Sequence, residues 1–184
     1  MRQFQLILIA SFASLAAVDS PITGGYGSDG PYAGGSVVTY TIANPIDVGT
    51  TLKPIRVYVS STAPAGPLPV FAISHAFGAD LYMIAENDYL PTVYPDLVRW
   101  AIGKGWSVIF VPFPASGLSV VARYDVIWSG FQTAAADAAA GPRLDTSKLC
   151  VWGHSFGAGA APWLAWQASH EFGWGSNGLC VMSC

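Results

Sequence analysis

The hydrophobic pattern changes character partway along the chain. Ser36 to Ile42 (SVVTYTI) and Ile55 to Ser60 (IRVYVS) are β-branched and aromatic, with partial alternation of apolar and polar positions. That pattern predicts two early strands, antiparallel neighbours with unlike faces. A Pro/Ala/Gly loop from Ser61 to Pro69 follows. Beyond it the apolar runs become short and almost unbroken: Val70 to Ser74 (VFAIS), Trp106 to Phe113 (WSVIFVPF), Leu149 to Trp152 (LCVW) and Leu179 to Met182 (LCVM). Such runs predict strands buried on both faces, as in a parallel sheet.

Helical spacing fills the gaps between these runs. Pro95 to Gly103 opens with proline at a first helical position and carries Leu97, Val98, Ala101 and Ile102 on one side. A second helix is expected over Ser119 to Ala140. Tyr124, Ile127, Phe131, Ala134 and Ala138 share its face, and Gly141-Pro142 is its stop signal. A third covers Phe156 to Phe172, with Pro162 inside it, past the first turn, where it removes a hydrogen bond and should kink the helix. Strand–helix alternation of this kind predicts an α/β domain with a doubly wound, mostly parallel sheet and right-handed crossovers.

Composition narrows the picture at the amino terminus. The 184 residues are 52% hydrophobic and 10% charged, with a net charge of −3. That is enough apolar material for a core, and no basic patch points to nucleic acid. Arg2 precedes an apolar run from Phe4 to Ala17, and Ser14-Leu15-Ala16 fits a small-x-small cleavage site. The run is shorter than the roughly 20 apolar residues of a membrane span. Residues 1–17 are therefore expected to be a signal peptide, with 18–184 forming the domain of a secreted or periplasmic protein. Cys150 is expected to be a buried thiol. Cys180 and Cys184 should not bond each other, because four strand residues span about 13 Å, beyond disulfide reach. No Cys/His set has metal-ligand spacing.

One short segment carries chemistry. Gly153-His154-Ser155-Phe156-Gly157 fits G-x-S-x-G, directly after a strand and directly before a helix. In that context a tight strand-to-helix turn strains the serine backbone and holds its hydroxyl above the sheet, and the flanking glycines avoid collisions. The start of the helix points unpaired N–H groups and a positive dipole end at the same place. The alternative is an ordinary helix start with Ser155 as N-cap. A nucleophilic serine also needs donors for the oxyanion that forms. The backbone N–H of Phe156 is one candidate. The second should lie in Ser74-His75-Ala76-Phe77-Gly78, right after VFAIS, with the Phe77 N–H as candidate and Ala76 as runner-up. The competing reading of that stretch is a plain strand-end turn. Phe77 and Phe156 flank this position and are the expected substrate-contacting residues. Tyr82 and Tyr89 could border the cleft, and Trp163 and Trp166 are core or pocket residues.

These residues resemble a known family. SHAFG after a buried strand, followed by DTSKLCVWGHSFGAG, looks like the α/β-hydrolase fold. The nearest branch holds dienelactone-hydrolase-like enzymes, platelet-activating-factor acetylhydrolases and cutinase-like polyester hydrolases. The likeness spans Tyr32 to Cys184. It implies a serine esterase that forms an acyl-enzyme and needs no cofactor. The implied substrates are small-molecule, lipid-like or polyester esters. Ala76 stands where that branch usually has Gly, and its methyl group could narrow the oxyanion hole.

Ser155 needs a base and the base needs a carboxylate, and in this fold both follow the serine. Downstream of Ser155 stand only His170 and Glu171. His170 lies fifteen residues along the helix, about 22 Å away, out of reach. His154 and His75 are expected to pack or support rather than to act as base. The chain is thus expected to be an N-terminal fragment, lacking the C-terminal strands of the fold and inactive alone. The other class of function considered is a non-catalytic binding module with this fold.

Overall fold

The computed structural model describes residues 29–46, 52–77, 94–114 and 117–184. Its strands, in chain order, are β1 (Val37–Ile42), β2 (Ile55–Ser60), β3 (Leu68–Ser74), β4 (Ser107–Phe110), β5 (Leu144–Gly153) and β6 (Gly178–Ser183). They form one sheet in the order β1-β2-β4-β3-β5-β6. β1 pairs with β2 and β2 with β4 antiparallel, while β4, β3, β5 and β6 are mutually parallel. The two patterns in the sequence correspond to these two parts of the sheet.

The period of two along each strand sorts side chains onto opposite faces. Val70 and Ala72 of β3, Ile109 of β4 and Leu149 and Val151 of β5 face one way. They pack against α2 (Val120–Ala136) and α3 (Phe156–Phe172) through Val126, Ile127, Phe131, Leu164 and Ala165. Phe71, Ile73, Val108, Phe110 and Cys150 face the other way, onto Val98, Ala101 and Ile102 of α1 (Pro95–Gly103). Helices therefore cover both faces, and β3 lies at the centre of the described sheet with both of its sides dry. Burying a Phe or Ile side chain contributes about 1.5–3 kcal/mol, so these two clusters hold the sheet that presents the strand ends.

Three details depart from the expected pattern. α2 stops at Ala136, not Ala140, so Ala138 lies outside the helix and is exposed. Asp137 takes extended backbone, and its Oδ1 accepts from the N–H groups of Ala139 and Ala140, which closes the turn before Gly141 is reached. β6 has an apolar sequence but is mostly exposed, because it pairs on one side only, with β5. α3 runs unbroken through Pro162. The missing N–H of Pro162 would have served the Ala158 carbonyl four residues earlier. That carbonyl instead accepts from the Ser183 hydroxyl of β6 at 3.2 Å.

Candidate functional site

The sheet delivers two strand ends to one place. β5 ends at Gly153, and α3 begins at Phe156. Between them Ser155 has φ 53° and ψ −113°, and it is the one non-glycine with positive φ among the described residues. Such a conformation costs about 1–3 kcal/mol and persists only where the surroundings enforce it. Here they do so through the main chain. The His154 N–H donates to Ser74 O at 3.2 Å and the Ser155 N–H to Cys184 O at 2.8 Å. The Gly157 N–H donates to His154 O at 2.9 Å, and the Ala158 N–H to Ser155 O at 3.0 Å.

The two glycines of the motif answer to different neighbours. A Cβ on Gly153 would lie 2.1 Å from Gly157 O, so the first glycine is required by the bend itself. A Cβ on Gly157 would lie 1.9 Å from Ser74 O, so the second is required by the close approach of α3 to β3. Ser155 occupies the N-cap position of α3, but its hydroxyl makes no cap hydrogen bond. The residue is exposed. The geometry therefore matches a presented hydroxyl and not the ordinary capping alternative. Phe156 is the first residue of α3, so its N–H has no helical acceptor.

The neighbouring end of β3 is fixed by side chains. His75 is fully buried and stacks on Phe113 with ring centroids 3.8 Å apart. Its Nε2 accepts the Phe113 N–H at 3.0 Å, so the ring proton sits on Nδ1, which donates to Ala76 O at 2.7 Å. Burial holds the imidazole neutral, with its pKa lowered from 6.5 to about 4. The Ala76 carbonyl and the Phe77 N–H belong to one planar trans peptide and point in opposite directions. Fixing the carbonyl therefore fixes the N–H. The Ala76 N–H donates to the Tyr94 hydroxyl at 3.0 Å and is already used. Of the two candidate donors at this strand end, the one left without an acceptor among the described residues is Phe77.

Tyr94 and Arg123 were not indicated by any motif. The Tyr94 hydroxyl lies 3.0 Å from both the Ala76 nitrogen and His154 Nδ1, and so ties the two strand ends together. Burial raises its pKa, which keeps it a neutral phenol able to donate and accept. Arg123 of α2 is buried. Its guanidinium lies 4.9 Å from the ring centroid of Phe77 and 5.6 Å from that of Phe156, and its Nε donates to Pro114 O at 3.2 Å. A cation over two rings is attracted to both. The Phe77 and Phe156 rings are themselves 6.2 Å apart. Arg123 thus gathers the side chains of Phe77 and Phe156. Phe113 and Tyr124 extend this aromatic wall, at 5.3 Å and 5.7 Å from Phe156.

The remaining candidates fall outside this cluster. His154 is exposed, bonded to Tyr94 and stacked on Trp152. His170 is exposed and its Nδ1 donates to Trp166 O. Trp166 is exposed and stacks on His170, whereas Trp163 is half-buried against Tyr124. Glu171 is exposed at the far end of α3. Among the described residues, no side chain hydrogen-bonds to the Ser155 hydroxyl. Residues 1–17, Tyr82, Tyr89 and Gly78 lie outside the described residues. Among those described, no helix is long and apolar enough to cross a membrane, and no cluster of metal-ligating side chains occurs.

Solved structures share this architecture. The chain is similar to an inhibited esterase B from Lactobacillus rhamnosis, with a TM-score of 0.55 and 14% identity over 83% of this chain and 48% of that one. It is similar to brefeldin A esterase, a bacterial homologue of human hormone sensitive lipase, with a TM-score of 0.54 and 16% identity over 84% of this chain and 40% of that one. It is also similar to a thermostable esterase from Pseudomonas putida, with a TM-score of 0.53 and 22% identity over 76% and 40%. No family model matches the chain, and no curated protein matches it. The chain therefore adopts the α/β-hydrolase fold, and it spans less than half the length of these solved structures.

Proposed function

We propose, from the premise of an α/β-hydrolase fold with Ser155 at the turn between β5 and α3, that the protein is a serine hydrolase of carboxylic esters. The observation that carries this reading is an exposed, uncapped hydroxyl on strained backbone at the start of α3, next to the Phe156 N–H that has no helical acceptor, with the Phe77 ring 6.2 Å from that of Phe156. Ser155 Oγ attacks the ester carbonyl carbon while a base takes its proton. The carbonyl oxygen becomes an oxyanion, and the N–H groups of Phe77 and Phe156 receive it. Return of the proton to the alcohol oxygen releases the leaving group and leaves an acyl-enzyme, which water then hydrolyses. The aromatic wall of Phe77, Phe113, Phe156 and Tyr124 suits lipid-like, aromatic or polyester acyl groups. The branch resemblance and a secreted setting belong to the same proposal.

The base and its carboxylate belong to a part of the whole protein other than these 184 residues. Two facts support this: no histidine or carboxylate bonds Ser155 among the described residues, and the chain covers under half of each of the esterase B, brefeldin A esterase and Pseudomonas putida esterase chains. The test is labelling of the full-length gene product with a fluorophosphonate probe. Labelling at Ser155 that is lost in Ser155→Ala supports the enzyme, whereas no labelling of folded protein supports a binding module. The 184-residue chain alone should turn over p-nitrophenyl acetate negligibly. Turnover that vanished in Ser155→Ala would overturn the assignment of the base elsewhere.

A further inference from the structure

Cys150 and Cys180 are far apart in sequence but adjacent in the sheet. β5 and β6 are parallel, and their register pairs Cys150 with Cys180 directly. Neighbouring strands lie about 4.8 Å apart, inside the usual Cα separation of a disulfide, roughly 4.4–6.8 Å. The side chains of paired residues on parallel strands leave the sheet on the same side. The two thiols are close enough for Cys180 to perturb the ionisation of Cys150. Cys150 is buried and Cys180 is exposed, and both are thiols in this structure.

We infer that Cys150 and Cys180 form a disulfide-forming pair, oxidised by a small-molecule or protein disulfide, that staples β6 to the strand carrying Ser155. This assignment does not depend on the proposed hydrolase activity. The Cys180 thiolate attacks one sulfur of the donor disulfide and expels the other sulfur as a thiolate, leaving a mixed disulfide on Cys180. Cys150 loses its proton to solvent, attacks the Cys180 sulfur and expels the second donor thiol. Two protein thiols are oxidised and one disulfide is reduced to two thiols. The order follows from access, because Cys180 faces solvent. Burial and the neighbouring Cys180 also push the Cys150 thiol above its ordinary pKa, which disfavours Cys150 as first attacker.

Cys184 is excluded as a partner of either. It lies four residues beyond Cys180, about 13 Å of strand. Its own thiol donates to Gly153 O at 3.5 Å. The staple nevertheless acts on the candidate site. Cys180 is on the strand that leads to Cys184, and Cys184 O accepts the Ser155 N–H. Fixing β6 to β5 fixes the acceptor that holds the serine backbone.

The test is native incubation of the chain with oxidised glutathione, followed by intact mass and chymotryptic mapping. Trypsin is unsuitable because no Lys or Arg follows Lys148, so all three cysteines remain on one fragment. Cleavage after Trp152 and Trp174 separates Cys150 from the other two. The expected result is loss of two hydrogens from wild type and from Cys184→Ser, with a Cys150–Cys180 cross-link and a raised denaturation midpoint. Cys180→Ser, altered at an exposed position, should lose none. An unchanged mass, a glutathione adduct that persists on Cys180, or a cross-link through Cys184 would each overturn the pairing.

Discussion

The two strand ends that meet at Ser155 are held in place by opposite means. At the end of β5 the backbone holds itself: four main-chain hydrogen bonds hold the bend, and two missing Cβ atoms admit the bend and the close approach of α3 to β3. At the end of β3 the backbone is ordinary, and side chains do the holding. His75 clasps Ala76 O and the Phe113 N–H, and Tyr94 takes the Ala76 N–H. Sterics at the first end leave almost no choice of residue. Hydrogen bonding at the second could be met by several residue sets. One half of the proposed oxyanion-binding site is therefore rigid by exclusion and the other by attachment.

The sharpest break of this contrast is at Gly157. Gly157→Ala places a Cβ 1.9 Å from Ser74 O, a backbone atom that cannot move aside without shifting β3. The expected loss is at least about 3 kcal/mol, seen as a lower urea midpoint or as failure to fold. A stability within error of wild type would show that α3 can retreat from β3.

At the β3 end the corresponding change is His75→Phe. It keeps the stacking on Phe113 but leaves the Phe113 N–H and Ala76 O without partners, for a loss of about 2–4 kcal/mol. Wild type should also be pH-sensitive through the same ring. The folded pKa is lowered to about 4 against 6.5 unfolded, so the unfolded chain binds the proton first as pH falls. Stability from this group is full above pH 6.5, declines between pH 6.5 and 4, and levels off below. The decline is about 3 kcal/mol across the window, and it should be absent in His75→Phe. Urea midpoints at several pH values check both statements, and identical pH profiles in the two proteins would contradict them.

Smaller effects sharpen the comparison. Ser155→Gly relieves positive φ at the bend and should stabilise the fold by about 1 kcal/mol while removing the proposed nucleophile. Ser155→Ala retains the strain and should not stabilise. At the end of β3, the Ser74 hydroxyl is buried with no hydrogen-bond partner among the described residues. Ser74→Ala should be neutral or stabilising by up to about 1 kcal/mol. A clear destabilisation in thermal melts would mean that this hydroxyl has a partner.

The same asymmetry explains what was legible in the sequence. The bend at Ser155 had to be written as glycines at fixed spacing, because only the absence of a side chain satisfies it. The strand runs were legible because burial on two faces demands unbroken apolar residues. The β3 end was not, since His75 finds Phe113 38 residues away and Ala76 finds Tyr94 18 residues away. No spacing rule connects such positions. The Phe77 N–H is preferred to that of Ala76 from its place after a strand, while Tyr94, which takes the Ala76 N–H, left no signal in the sequence. Arg123 did leave a signal: it stands one helical turn before Ile127, on the buried side of α2. The early end of α2 was missed because an aspartate turn ended the helix before the Gly-Pro pair.

The bond from the Ser155 N–H to Cys184 O ties the strained residue to the chain just past an exposed outer strand. Solvent deuterium can reach that amide when its bond to Cys184 opens. The protection factor at Ser155 should therefore track local opening at the end of β6 and not the unfolding of the sheet's centre. Among the described residues, the one non-glycine with positive φ is thus secured from the end of an exposed strand.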